Sequence, residues 1–282
     1  MLYPKEMTNR ELQILANKIR KDIVQATYST GKSGAHIGGS LSCADIMAVL
    51  YGKHMRIDAL HKGNRDRFIM SKGHAALAQY CTLKEMGVLT QEELDTFDKD
   101  GSEYVAHVRK NESKGLDFSG GSLGLGMSFA TGVALACKQR HYDNHIYVLL
   151  GDGECNEGIV WEAFLFAAHN HLNNLTIIVD YNHLQADGAI EDIVTLGDLR
   201  KKMDAFSDNV HVVDGHNVQA IDVALSASTT ESPKIIIAET IKGKGVSFIE
   251  NKYNWHHGSL NDAKYNKAMA ELIENERRIE NL

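Results

Sequence analysis

Residues 151–158 read GDGECNEG, between the apolar run IYVLL and a helix-like stretch that opens IVWEA. Two glycines flank one acid at what the pattern predicts to be the carboxyl end of a strand. Glycines there allow a tight turn and let a ligand approach backbone N–H groups. Free N–H groups at a helix entry attract an anion such as phosphate. Asp152 repels that anion unless a cation lies between them. A hard divalent ion meets both demands, because it takes oxygen ligands and bridges carboxylate to phosphate. It needs further oxygen donors. Asn182 follows Asp152 by thirty residues, just after the apolar run LTIIVD at 175–180. One helix and one strand separate the two, which puts them at neighbouring strand ends on one edge of a sheet. The Asp152 carboxylate, the Asn182 amide oxygen and a nearby backbone carbonyl leave room for two phosphate oxygens and a water, completing a six-fold shell for Mg²⁺ or Ca²⁺.

The elements that must hold this pair follow from periodicity. Short, mostly apolar and β-branched runs predict strands at 67–70, 146–150, 175–180, 210–213 and 234–239, buried on both faces. Helical patterns lie over 8–28, 41–51, 74–86, 123–139, 157–171, 196–206 and 216–229, with a charged helical tail from 261. Thr8, Asn9 and Glu11 form a plausible cap for the first. Alternating strand and helix predicts an α/β fold with a doubly wound, mainly parallel sheet. Ligands of such sheets sit beyond the carboxyl ends of the strands. With two prolines and no Pro/Ser-rich linker or repeat, 1–282 reads as a single domain.

Composition narrows the class. A net charge of −7 with no long basic block speaks against a nucleic-acid face; LRKKM at 199–203 reads as a solvated helix face. No run approaches eighteen apolar residues, so no membrane span is expected. The N-terminus lacks the apolar region of a signal peptide, and the four cysteines are far apart with no CxxC pair. A reduced, cytoplasmic protein is the expectation. Each cysteine reads as a small core residue, Cys155 beside the acid turn being the one to watch.

The strand–GDG–helix–strand–Asn pattern resembles the thiamine diphosphate family. Four further stretches resemble transketolases in particular: SGAHIGGSLSCADIMAVLY at 33–51, MSKGHAALAQY at 70–80, SGGSLGLGMSFATGVALA at 119–136 and ETIKGKGVSFIENKYNWHHG at 239–258. The resemblance covers essentially the whole chain in the family's order. It implies a fold of the family's diphosphate-binding type and an enzyme that passes a two-carbon ketol unit from a ketose phosphate to an aldose phosphate. It implies thiamine diphosphate and Mg²⁺ (or Ca²⁺) as cofactors. Asp152, Asn182 and the Leu184 carbonyl would hold the metal. Gly153 would donate its N–H to the diphosphate, with His74 nearby, while Gly121 and Leu123 would meet the aminopyrimidine. His36 and His257 would face sugar hydroxyls and move protons, and His107 would contact the donor's first hydroxyl. The family shows GHP where this chain has AHV, and a proline where it has Ser122. His257 is preferred to His256 because Gly258 follows it. Glu157 and Glu162 would lie buried at a subunit interface in a shared-proton network. His169 and His171 read as structural.

No acid in this chain matches the family's pyrimidine-activating glutamate, which sits on a later domain. The expectation is a split enzyme: a separate pyrimidine-binding chain, equivalent to a C-terminal transketolase subunit, completes the site in an α2β2 tetramer. The competing readings are the α subunit of a 2-oxo acid dehydrogenase, which would not need the sugar-facing histidines, and a non-catalytic metal–nucleotide-binding module.

Overall fold

The computed structural model describes residues 6–57, 65–228 and 231–281. Its sheet holds five parallel strands among those residues: β1 (Arg67–Met70), β2 (Ile146–Gly151), β3 (Leu175–Tyr181), β4 (Val210–Asp214) and β5 (Lys234–Glu239). Their order is β1-β2-β3-β5-β4. The strands begin where their apolar runs predict. Register aligns Gly151 with Asp180, and Asp180 with Ala238, so the carboxyl ends of β2, β3 and β5 form one level edge.

Alternation along these strands feeds two cores. Phe68, Met70, Leu149, Ile178 and Ile236 pack on one face, against α1 (Asn9–Ser29), α2 (Ile37–Ser42), α3 (Ala44–Val49), α4 (Ala76–Glu85), α10 (Val218–Ser226) and α11 (Asp262–Glu280). Between α4 and α10 come the short α5 (Gln91–Leu94), then α6 (Leu125–Gln139), α7 (Gly158–His169), α8 (Ile190–Ile193) and α9 (Leu199–Asp204). Ile69, Val148, Leu150, Ile177, Val179 and Ile235 point the other way, toward α6, α7 and α9. Both faces are covered, as an all-parallel sheet requires. The capping box of α1 forms: Glu11 N–H donates to Thr8 Oγ1 and Thr8 N–H to the Glu11 carboxylate.

Two expectations are corrected. β4 is an edge strand with β5 as its one neighbour, and Val212 is 46% exposed, so this strand is not buried on both faces. The helix predicted at 41–51 starts four residues earlier and breaks at Cys43 into α2 and α3, ending in a π turn over Leu50–His54. Gly38 and Gly39 enter α2 despite their poor helix propensity because contact overrides it. A Cβ on Gly38 would lie 2.5 Å from the Trp255 carbonyl oxygen. Gly126 in α6 serves a similar close approach, since its Cβ would meet Ser71 at 2.5–2.6 Å.

Candidate active site

A cavity of about 420 Å³ opens beyond the carboxyl ends of β2, β3 and β5. Of the residues singled out by sequence, His36, His74, His107, Gly121, Leu123, Asp152, Gly153, Glu157, Asn182 and Leu184 line it. Asp152 is 3% exposed and accepts from Gly153 N–H at 2.7 Å and His183 N–H at 2.6 Å. Burial, then the neighbouring Asp180, push its pKa up to about 6 against those two donors and Lys72. A carboxylate in that state is short of positive charge, which a divalent ion supplies. Asn182 sits beside it, its Nδ2 3.4 Å from Asp180 Oδ2 and its Oδ1 accepting from Leu184 N–H at 3.2 Å. Among the described residues no three His, Cys, Asp or Glu side chains gather into a metal site of their own. One carboxylate, one amide and one carbonyl suit an ion that arrives with further oxygens from a ligand.

Lys72 and Lys242 carry the site's positive charge, and the sequence reading missed both. Lys72, 1% exposed, forms an ion pair with the fully buried Asp180 and donates to the Gly39 carbonyl at 2.9 Å. Lys242, 2% exposed, donates to the carbonyls of Leu184 and Gln185 at 3.0 and 2.9 Å, with His256 Nδ1 3.1 Å away. Burial and Lys72 pull its pKa down to about 8. The Leu184 carbonyl therefore faces Lys242. The Lys242 ammonium and the Asp152 carboxylate beside the Gly153 turn suit a diphosphate that arrives with a divalent cation, so the donor set fits thiamine diphosphate's anionic end. A Cβ on Gly121 would meet nothing within 4 Å, so that turn presents bare backbone to the cavity.

Histidines line the cavity beside the lysines, His256 lying against Lys242. The His36 ring lies 5.5 Å from His74, 5.4 Å from His107, 5.4 Å from His256 and 4.7 Å from His257. His256, placed second to His257 by sequence, is the one that lines the cavity, 4.9 Å from His74 and against Lys242. His257 is exposed and stacks edge-on to His36 from outside the lining. Burial, followed by His257 and His107, pulls His36 down to about 4; burial, followed by Lys242, pulls His256 to about 3; and burial, followed by Lys72, holds His74 well below its usual range. All three are neutral near pH 7, each with one ring donor and one acceptor, which suits hydroxyl groups. His36 Nδ1 is buried with no hydrogen-bond partner among the described residues.

Glu154, unremarked by sequence, ties the floor together. It is 2% exposed and accepts from Ser71 Oγ at 2.5 Å, Gly124 N–H at 2.7 Å and Gly151 N–H at 3.1 Å. Burial raises its pKa, and these three donors oppose the rise. Glu154→Gln sets an NH₂ against the Gly151 N–H, an unmet buried donor costing about 1–3 kcal/mol. Thermal unfolding is expected to show a clear fall in Tm; an unchanged Tm would remove Glu154 from this role.

Glu157 and Glu162 are both exposed in this chain, on the same surface of α6 and α7 that bares Leu125, Phe129, Leu165 and Phe166. Their expected burial is not provided within the chain itself. Cys155 is buried and burial drives its thiol well up, so it behaves as a core residue. His169 ends α7, and it and His171 lie at the sheet's opposite edge, away from the cavity.

Residues 12–276 match the family described as transketolase, thiamine diphosphate binding domain. The chain is 40% identical over 267 residues to the 6-deoxy-6-sulfo-D-fructose transketolase subunit SqwG of Clostridium sp. (strain MSTE9), covering 93% of this chain and 96% of that one. It is 38% identical to an apulose-4-phosphate transketolase subunit of Phocaeicola vulgatus, covering 96% of each. The solved transketolase of Campylobacter jejuni superposes with a TM-score of 0.84 at 27% identity, over 95% of this chain but 45% of that one. The chain thus spans less than half the length of that solved enzyme. With its parallel sheet, GDG turn and histidine-walled cavity, it belongs to the transketolase family as a thiamine diphosphate-binding domain.

Proposed function

We propose that this chain is the diphosphate-binding subunit of a two-chain transketolase, moving a two-carbon ketol unit from a ketose phosphate to an aldose phosphate. The observation that carries this is the cavity's division into an anion-and-metal corner and a neutral histidine wall. Asp152, Asn182 and the Leu184 carbonyl hold Mg²⁺ or Ca²⁺, while Gly153 N–H and Lys242 hold the diphosphate. The bound thiamine supplies the carbanion chemistry that breaks the ketose beside its carbonyl. His36, His74 and His256 hold sugar hydroxyls and pass protons between them as neutral imidazoles, with His107 beside them. His257 braces His36.

A separate chain supplies the pyrimidine-activating acid, and two copies of each form a tetramer, with Glu157 and Glu162 covered at an interface. The full-length match to proteins named as transketolase subunits supports this arrangement. Calorimetry of the chain with thiamine diphosphate is expected to show binding that needs Mg²⁺ or Ca²⁺. Ketol transfer is expected only after a pyrimidine-domain chain is added. Full transfer by this chain alone overturns the two-chain reading, and metal-independent binding overturns the metal corner.

A further inference from the structure

His216 lies outside the cavity, after β4, and takes no part in the chemistry above. Its ring is nearly buried and sits between two partners. Nε2 accepts the backbone N–H of Ile241 at 2.8 Å, and Nδ1 lies 2.8 Å from Asp45 Oδ2. An acceptor at Nε2 fixes the proton on Nδ1, which donates to Asp45. Asp45, in α3, is in turn held by Arg20 of α1. Burial pushes the Asp45 pKa up, but Arg20 and His216 outweigh it and hold the carboxyl near 2. The acceptor of this relay is thus a firm anion, and the histidine's orientation is set from the α1/α3 side of the sheet.

Ile241 immediately precedes Lys242. Gly215, beside His216, approaches Thr240 so closely that a Cβ there would lie 2.4 Å from Thr240 Cγ2. Gly243 N–H is fixed to the Gly38 carbonyl at 2.9 Å, and Gly38 also faces the Lys242 stem. Resting on the diphosphate-binding reading, we infer that His216 is a positioning residue: by holding the Ile241 amide it sets the backbone from which Lys242 reaches the Leu184 and Gln185 carbonyls. The ammonium end has its own carbonyl partners. Among the described residues, the side-chain hydrogen bond that anchors the stem's origin comes from His216. Removing it leaves a part-buried N–H unmet and loosens the backbone on the Ile241 side of Lys242, whose carbonyl still accepts from Asn251 N–H, and small misplacements at a binding group cost much of its value.

The test uses the full chain with two readouts. In the metal- and cofactor-free chain, amide exchange at 241–243 is expected to speed up in His216→Leu, with exchange across β3 and β5 unchanged. His216→Gln, whose amide oxygen can occupy the Nε2 position, is expected to restore most of the protection. In calorimetry with thiamine diphosphate and Mg²⁺, His216→Leu is expected to weaken binding up to about ten-fold, the size of one net hydrogen bond. The double variant with Lys242→Met is expected to bind no worse than Lys242→Met alone, because residues acting through one group are not additive. Unchanged exchange at 241–243, or additive losses in the double variant, overturns the inference. Failure of the parent chain to bind thiamine diphosphate strikes the functional reading and leaves the exchange result to decide the positioning role.

Discussion

Asp152→Asn is expected to abolish metal-dependent cofactor binding and ketol transfer while changing the stability of the metal-free chain little. The carboxylate meets two backbone donors, at 2.7 Å and 2.6 Å. Asparagine can accept from one and must set its NH₂ against the other, a loss of about 1 kcal/mol or somewhat more. Against that, the substitution removes a buried negative charge that burial and Asp180 already disfavour, as its pKa of about 6 shows. The two effects oppose, so the melting temperature moves by only a few degrees. Function has no such offset. Asp152 is the one carboxylate in the proposed metal corner, and a divalent ion there contributes several kcal/mol of charge stabilisation. The expected loss in kcat/KM with the partner chain is more than about 10³-fold. Calorimetry with Mg²⁺ and thiamine diphosphate, together with thermal melts of the metal-free chain, separates the outcomes. A variant that unfolds speaks for a structural acid, and one that keeps binding within ten-fold removes Asp152 from the corner.

The sheet and its carboxyl edge were legible because apolar runs of strand length alternate with amphipathic helices, and that alternation admits few topologies. Asp152 and Asn182 were legible because one helix and one strand separate them, which forces neighbouring strand ends whatever the loops do. Lys72, Lys242 and Glu154 were not. Each gains its meaning from partners far along the chain: Asp180 for Lys72, the Leu184 carbonyl for Lys242, and Ser71 with Gly124 for Glu154. A local signal did exist for Asp180. An acid closing the apolar run LTIIVD must sit on a buried strand, and such an acid needs a cation. Which of His256 and His257 lines the cavity was beyond sequence reasoning, since two adjacent histidines carry no local pattern that tells their rings apart. The close approach that requires Gly38 in α2 involves Trp255, more than two hundred residues away, so no local pattern announces it.

The largest effect on stability is expected at the Lys72–Asp180 pair. Asp180 is fully buried and pairs with Lys72, while Ser42 Oγ donates to it at 2.5 Å and Thr240 Oγ1 donates as well. Burial alone drives its carboxyl pKa up; Lys72, Ser42 and Thr240 together outweigh that and hold it below the ordinary carboxylate range. Its contribution to stability is therefore present above the unfolded-state pKa of about 4 and is lost as pH falls through the lower folded value. Lys72→Met leaves the anion with hydroxyls and one weak amide, and Asp180→Asn leaves the ammonium with the Gly39 carbonyl as its main partner. Either single change is expected to cost about 3–5 kcal/mol, because an unpaired charge stays inside. Lys72→Met combined with Asp180→Leu removes both charges and is expected to recover a large part of that loss. Urea unfolding at pH 7 measures the three variants: singles that cost under about 1 kcal/mol, or a double that equals their sum, would show that the pair is not coupled. The double variant carries a second consequence. Asp180 Oδ2 faces the Asn182 amide nitrogen, which leaves the amide oxygen for a metal. With Asp180 gone that preference goes too, so the recovered fold is expected to bind Mg²⁺ and thiamine diphosphate more weakly than the parent. Such a result would mean that the ion pair at the end of β3 is kept for cofactor binding, through the Lys72 charge or the orientation of Asn182, since apolar residues of similar size can hold the sheet.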